Sequence, residues 1–155
     1  MSQTSGSSEV WFYHLTHWPL ERALPPLLEK TLERGWRALV RAGSQERLSV
    51  LDQHLWSWSD ESFLPHGLAG EDDAERQPVL LTTGMTNDNK ADVLFVVDHA
   101  ETGEIADFTR TILIFDGRDD DAVASARAEW RRAKENDMQV SYWQQGETGC
   151  FEKKA

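Results

Sequence analysis

The sequence predicts a three-layer α/β domain built around a mainly parallel sheet. Short apolar runs of strand type alternate along the chain with segments in which apolar residues recur at helical spacing. Two runs in the middle of the chain, Val79–Thr82 and residues 93–97, are continuously apolar, as is typical of strands buried on both faces. Strands that alternate with helices pair in parallel and carry helices on both faces of the sheet, so this order favours three layers.

The first strand and the first helix are predicted near the N-terminus. Residues 10–15 are mostly valine, aromatic and leucine residues, which are enriched in strands. The helix that follows has leucines at core spacing, namely Leu24, Leu27, Leu28 and Leu32. Pro25 and Pro26 are expected in its first turn, where proline is tolerated because the backbone N–H has no helical partner there. Gly35 is expected to end this helix, and residues 36–40 to form the second strand.

A second helix is predicted to run into a loop that is rich in large apolar side chains. Ser44 is its expected N-cap. Its core face is marked by three leucines, Leu48, Leu51 and Leu55. Aromatic and apolar residues continue past the expected helix end into a loop of serine, proline and glycine: Trp56, Trp58, Phe63 and Leu64. Large apolar side chains in a loop require either a covering element or a binding partner.

The alternation continues in the second half of the chain. Residues 112–115 are predicted to form a strand, and one of the three acids at 119–121 to cap a helix that runs to about Lys134. A last strand is expected at 139–143. The segment 83–91 is short and polar for a crossover helix, so an antiparallel arrangement of the strands around it is left open.

Length, charge and cysteine content describe a single domain in a reducing compartment. The 155 residues divide into a disordered lead-in at 1–8, one α/β domain at 9–145 and a polar C-terminal tail at 146–155. The net charge of -11 argues against sequence-independent binding of duplex DNA. No apolar run approaches the roughly 18 residues that cross a bilayer, so no membrane contact is expected. The single cysteine, Cys150, cannot form an internal disulfide and indicates a cytoplasmic location.

The sequence lacks the motifs of nucleotide, metal and covalent chemistry. There is no GxGxxG and no GxxxxGK[ST], and the turn at 16–19 after the first strand has no glycine. Three acids at 71–73 follow the glycines Gly67 and Gly70 and would repel phosphate. His14 and His17 form an HxxH pair, but an odd separation on an extended segment points them to opposite faces. The other histidines are scattered singly, and Cys150 has no evident base beside it. We therefore expect no cofactor, no metal site and no catalytic residues.

The helix after the acids is basic on an otherwise acidic chain. The helix contains four cations and one acid, and four minus one gives a local charge of +3. The cations are Arg127, Arg131, Arg132 and Lys134, and the acid is Glu129. Helical spacing places Arg127, Trp130 and Lys134 on one face, with Arg131 adjoining it. Such a face suits an acidic peptide that ends in a hydrophobic side chain and a carboxylate, because arginine pairs with carboxylates through two hydrogen bonds. The simpler interpretation is a solvated basic face whose Trp130 belongs to the core.

A long motif in the middle of the chain resembles the chi subunit of bacterial DNA polymerase III. The sequence LDxxLW at 51–56, followed by ESFLPHGLAGE at 61–71, is similar to the family pattern LDxxLW…SFxPHxLAGE. The aromatic first strand at 11–13, the strand at 37–40 and the basic helix at 126–130 are similar as well. The likeness covers roughly residues 9 to 143. It implies a non-catalytic clamp-loader accessory protein with a Rossmann-like fold that binds no nucleotide.

The resemblance also implies two partners. Proteins of this family bridge the clamp loader, through its psi subunit, to the acidic C-terminal tail of single-stranded DNA-binding protein, which ends in a Pro-Phe carboxylate; DNA is reached only indirectly. The residues implied in binding this tail are Arg127, Trp130, Arg131, Lys134 and Val140. Trp130 replaces a tyrosine of the family and Arg131 a lysine, whereas Val123 stands where relatives carry a further lysine.

The aromatic loop is implied as the psi-binding face. The residues carried over to this role are Trp56, Phe63, Pro65 and His66. Phe63 is expected to be the exposed anchor, and an iron–sulfur helicase is an alternative partner for the same face. In a purely structural interpretation, Trp56 is half buried in the core and residues 65–67 fix a turn. A Rossmann-like enzyme acting on a nucleotide or sugar is the competing hypothesis, and it requires a ligand near 16–19 or 42–44.

Overall fold

Runs of valine, isoleucine, leucine and aromatic residues form the strands of one sheet. The computed structural model describes residues 9–57, 65–103, 105, 108–148 and 151–155. The strands in this part of the chain are β1 Glu9–Leu15, β2 Ala38–Arg41, β3 His66–Leu68, β4 Val79–Thr82, β5 Val93–Val96, β6 Arg110–Asp116, β7 Gln139–Gln145 and β8 Phe151–Lys153. The helices are α1 Leu20–Glu33, α2 Gln45–Ser57 and α3 Asp120–Glu135, with a 3-10 turn at Ala74–Arg76. The predicted lead-in at 1–8 lies outside the described residues.

The sheet has the strand order β3-β4-β2-β5-β6-β1-β7-β8, and each neighbouring pair is parallel except β7 and β8. The leucines of α1 and α2 pack on one face of the sheet with residues such as Val40 and Phe95. The alanines of α3 pack on the opposite face with residues such as Phe12 and Leu94. The predicted three-layer α/β fold with a mainly parallel sheet is therefore confirmed. Among the helices described here, none is long and apolar enough to cross a membrane.

The antiparallel arrangement left open around residues 83–91 is wrong. β4 and β5 do not pair with each other, because both flank β2 in parallel, with Val40 opposite Leu81 on one side and Phe95 on the other. The polar segment between them returns along the sheet without a helix. Asn89, which is fully buried, makes this possible by donating hydrogen bonds to the carbonyls of Ala38 and Gln77, at 3.0 and 2.9 Å.

Replacement of the buried amide tests this account of the crossover. Asn89→Ala is expected to lower the free energy of unfolding by about 2–4 kcal/mol, because one buried and one partly buried carbonyl lose their donor. Asn136→Ala is the matched control, since that exposed amide donates to a single carbonyl, Arg132 O, at 2.9 Å. Its expected cost is below about 1 kcal/mol. Urea unfolding measures both, and equal costs would contradict the role given to Asn89.

The first helix begins earlier than the sequence predicts. Its N-cap is Pro19, whose carbonyl accepts hydrogen bonds from the N–H groups of Arg22 and Ala23 at 3.1 and 3.0 Å. Pro25 and Pro26 therefore lie in the second turn, and their placement in the first turn is wrong. A proline there removes a helical hydrogen bond, and the burial of the neighbouring leucines on the sheet is what holds the helix together. The helix ends at Glu33, followed by Gly35 in the left-handed region (φ 80°).

The caps of the other two helices follow the sequence closely. The N–H of Arg47 donates to Ser44 Oγ at 3.2 Å, as predicted for α2. Of the three candidate acids, Asp119 caps α3, because its Oδ1 accepts from the N–H groups of Asp121 and Ala122 at 3.0 and 3.3 Å. Asp120 and Asp121 lie in the first turn, where they are favoured by the helix dipole.

Two short strands at the sheet edges were not predicted. β3 extends the sheet beyond β4, at residues interpreted as a turn. β8 pairs with β7 and lies within the stretch expected to be a polar tail, so residues 139–143 are not the last strand. Phe151 of β8 stacks on Tyr13 with a ring separation of 4.4 Å, and this contact fixes the added strand to the sheet.

Candidate protein-interaction sites

The cations of α3 face solvent because alanines hold the opposite side of the helix against the sheet. Ala122, Ala126 and Ala133 are buried. Their small side chains let the helix approach β1, β6 and β7 closely, and the longer residues between them point away. Arg127, Arg131 and Lys134 are exposed as a result. The structure thus brings the predicted cations together along one exposed side of α3.

Trp130 connects this basic side to the core. Its ring meets Phe12 edge-on at 5.3 Å and Tyr142 at 6.4 Å, and the ammonium of Lys134 lies 5.3 Å from the ring centroid. The side chain remains partly exposed. The indole therefore anchors α3 to the sheet, as the simpler interpretation predicted, and it also leaves an apolar surface between cations, where binding of a peptide stays a prediction.

Tyr142 is a member of this site that the sequence interpretation missed. It lies on β7 beside Trp130, and its hydroxyl forms a hydrogen bond with Nδ1 of His14. Burial raises the pKa of Tyr142, and the nearby charge of Arg127 acts in the opposite direction. Burial likewise lowers the pKa of His14, against the influence of Asp116. The alternation of strand residues could have found Tyr142, because it shares a sheet face with Val140.

We call this region the α3–β7 surface. Its residues are Arg127, Trp130, Arg131, Lys134, Val140 and Tyr142. Val140 is partly buried and packs on the same core as Trp130, where β7 runs beside β1. Val123, one turn before Arg127, is half buried. Arg132 is not part of this surface, because it forms an ion pair with Glu129 and both line the crevice described below.

Most residues of the long central motif build the corner between α2 and β3. Asp52 Oδ1 lies 3.1 Å from Nε2 of the buried His66 and ties the helix to the strand. Glu71 accepts the N–H of Leu68 at 2.8 Å, and Gly70 adopts the left-handed conformation (φ 94°) that a side chain would strain. A Cβ on Gly67 would lie 2.8 Å from the side chain of Gln77. The motif is therefore in large part a structural device.

Trp56 is the exposed aromatic residue at this corner. Its residue surface is 56% exposed, which agrees with the expected half-buried position and leaves more than half of the residue open to solvent. The ring of Trp56 lies 4.5 Å from the ring of His66. Pro65, which precedes His66 in the sequence, is partly exposed. We call Trp56, Pro65 and His66 the α2–β3 corner. Phe63, the predicted anchor, lies outside the described residues.

A crevice of about 810 Å³ opens at the carboxyl ends of β1, β5 and β6. At this point the chain leaves β1 toward a helix on one face of the sheet and leaves the neighbouring β6 toward a helix on the other face. Such a topological switch point is the usual ligand position in folds of this kind. Its described lining residues include six acids and three arginines, and three minus six gives a charge of -3: Glu21, Asp98, Glu101, Asp116, Asp119 and Glu129 against Arg47, Arg118 and Arg132.

The arginines of the crevice are held by its acids. Arg47 pairs with Glu21, and Arg118 pairs with Asp116 at 2.9 Å. The crevice therefore presents carboxylates, which repel a phosphate group. Within the described ranges, no group of three or more histidine, cysteine, aspartate or glutamate residues is placed to hold a metal ion.

Comparison with known proteins gives one consistent result. The family described as DNA polymerase III chi subunit, HolC, matches residues 8–141. The chain is 24% identical over 103 residues to "Probable DNA polymerase III subunit chi" of Rickettsia prowazekii (strain Madrid E), which covers 66% of this chain and 62% of that protein. It is 36% identical over 84 residues to "DNA polymerase III subunit chi" of Pseudomonas aeruginosa, which covers 54% of this chain and 58% of that protein. The chain thus spans about three fifths of the length of these curated relatives.

Proposed function

This chain belongs to the DNA polymerase III chi subunit family, HolC, and we propose that it is a non-catalytic accessory subunit in DNA replication. In this role it links the clamp loader, through the psi subunit, to the acidic C-terminal tail of single-stranded DNA-binding protein. The observation that carries the proposal is the α3–β7 surface, where exposed cations surround a partly exposed indole on a chain of net charge -11.

The chemistry of the α3–β7 surface matches the proposed ligand. A tail that ends in a phenylalanine carboxylate needs an apolar contact and a cation within a few ångströms of each other. Trp130, Tyr142 and Val140 supply the apolar contact. Arg127 and Arg131 supply the guanidinium groups that pair with the terminal carboxylate and with acidic side chains before it. Lys134, held over the indole ring, adds a third positive charge at the rim.

Binding of a synthetic acidic peptide tests the proposal directly. A peptide that ends in Pro-Phe with a free carboxylate is expected to bind, and the same peptide with an amidated C-terminus to bind roughly tenfold more weakly, because one charge-assisted pairing is lost. Raising salt from about 0.05 to 0.3 M should weaken binding further, since exposed pairs are screened. Fluorescence anisotropy measures all three conditions. Equal affinity for the free and amidated peptides would contradict recognition of a terminal carboxylate.

For the psi subunit we propose the α2–β3 corner as the docking surface. An exposed tryptophan supported by a buried histidine is the kind of rigid aromatic anchor that dominates protein interfaces. Phe63 and Pro65 belong to the same proposed contact, and His66, which the resemblance carried over as a contact, is buried and supports Trp56 from within the fold. An iron–sulfur helicase is the alternative partner for this face. Competition between purified psi and the helicase for this protein would show whether the two share the α2–β3 corner.

An enzyme acting on a nucleotide or sugar is the second candidate function, favoured only by the position of the crevice. Its acid-lined wall argues against phosphate-bearing ligands. Thermal-shift measurements with nucleotides, sugars and divalent metals separate the two functions, because a ligand that binds the folded state raises the unfolding temperature. The adaptor function predicts no shift, and saturable stabilisation by any of these compounds would favour the enzyme.

A further inference from the structure

The strand β8 brings the last residues of the sequence to the edge of the α3–β7 surface. It pairs antiparallel with β7, with Lys153 opposite Trp143 and Glu152 opposite Gln144. Beyond the strand, the N–H of Lys154 donates to the carbonyl of Tyr142 at 2.7 Å, so the contact with β7 continues to the tyrosine of the surface. These residues follow the region matched by the family, which ends at residue 141.

Strand alternation separates the two adjacent lysines. Phe151 stacks on Tyr13, which belongs to the core beneath α1 and α2, and Lys153 lies on the same face opposite Trp143. Glu152 and Lys154 therefore face the α3 side of the sheet. Their ion pair, with Lys154 Nζ 3.3 Å from Glu152 Oε2, agrees with this placement because residues i and i+2 share a face.

We propose that Lys154 is a further cation of the peptide-binding site, and that it contacts the acidic residues that precede the hydrophobic end of the bound tail. This inference rests on the proposed function. The α3 turn before Arg127 carries Val123, so on that side the helix offers an apolar residue. Lys154 adds a positive charge from the β8 side, across Tyr142 from Arg127.

The present partner of Lys154 does not prevent this contact. The Lys154 and Glu152 side chains are 50% and 65% exposed, and an ion pair in that setting contributes little to stability. Lys154 can therefore exchange Glu152 for a carboxylate of the tail at low cost. Glu152, in contrast, repels an acidic peptide that lies along this edge, and its removal should favour binding.

The two lysines provide a matched comparison. Lys154→Glu and Lys153→Glu change the net charge equally and lie one residue apart, but on opposite faces of the sheet. Lys154→Glu is expected to weaken binding of the free-carboxylate Pro-Phe peptide by roughly three- to tenfold, and Lys153→Glu is expected to weaken it by less than about twofold. Glu152→Gln is expected to strengthen binding by about twofold. Fluorescence anisotropy at low salt measures each affinity, and thermal unfolding confirms that each variant is folded.

The outcomes separate this inference from the function on which it rests. Equal weakening by the two lysine reversals would overturn the inference alone, because it would show that only the overall charge matters. Failure of the unaltered protein to bind the peptide would overturn the proposed function and the inference with it. If a reversal unfolds the strand, Lys154→Gln and Lys153→Gln repeat the comparison without placing a new carboxylate beside Glu152, and the same ranking is expected.

Discussion

Arg127→Ala is expected to weaken binding of the acidic tail peptide by roughly ten- to a hundredfold while the fold stays intact. The guanidinium is exposed on α3 and close enough to Tyr142 to influence its pKa. The guanidinium can therefore pair with the carboxylate of a C-terminal phenylalanine whose phenyl ring lies against Trp130. Hydrogen bonds to charged groups contribute about 1.5–3 kcal/mol each, which corresponds to this range of affinity. Anisotropy titration gives the affinity, and circular dichroism gives the thermal midpoint.

Arg132→Ala is the control for the loss of charge. It removes the same charge from the same helix, but Arg132 pairs with Glu129 at the crevice. Its effect on peptide affinity should stay within about twofold, as expected for a charge that is not in contact with the ligand. Normal binding by Arg127→Ala would show that the peptide site lies elsewhere. Equal losses of peptide affinity in the two variants would show that α3 acts only through its overall charge.

The parts of the fold that the sequence predicts are those whose signal lies within one short stretch of the chain. The runs that became β4 and β5 are fully buried, and burial on both faces is what a continuous apolar run indicates. The leucines of α1 and α2 lie against one core, as their spacing requires. The cap of α3 was predicted as one of three acids, since an acid before the first turn accepts the N–H groups there, and the structure identifies it as Asp119.

The parts that the sequence does not predict depend on contacts between distant residues. β3 has three residues, too few for a periodic pattern, and it is ordered by pairing with β4 and by the contact between Asp52 and His66. β8 is equally short and depends on the stack of Phe151 on Tyr13. The prolines of α1 misled the placement of the first turn because tertiary burial outweighs local helix preference.

The residues of the candidate sites also fall into those predicted from local spacing and those brought in by contacts between distant residues. Helical spacing alone placed Arg127, Trp130 and Lys134 on one face, since that spacing is local. Tyr142 joins them only through the packing of α3 across β7, and Lys154 only through the pairing of β8. The psi-binding role of Trp56 came from the family resemblance, and its high exposure is the new structural support for that proposal.

Trp56→Ala is expected to weaken binding of the psi subunit by at least about thirtyfold without destabilising the domain. Truncation of an exposed aromatic anchor typically costs about 2 kcal/mol or more of binding free energy, because the partner loses a large apolar contact. The same exposure means that little core packing is lost. Isothermal titration with purified psi measures the affinity, and urea unfolding should show a change below about 1 kcal/mol.

Val50→Ala is the matched control, because Val50 is an exposed apolar residue of the same helix, 41% exposed, on a different side from Trp56. Its effect on psi affinity should remain within about twofold. If psi binds Trp56→Ala as tightly as the unaltered protein, the α2–β3 corner is not its docking surface. A loss shared by both variants would indicate a contact along the whole of α2 instead of one anchored at its end.

The separation of the two surfaces gives this experiment a second criterion. Six strand spacings of about 4.8 Å lie between β3 and β7 in the sheet order, so the α2–β3 corner and the α3–β7 surface are roughly 30 Å apart. Effects at such distances are independent when the sites share no contacts. Trp56→Ala should therefore leave peptide affinity unchanged, and Arg127→Ala should leave psi affinity unchanged. An adaptor needs this independence, because it must hold both partners at once.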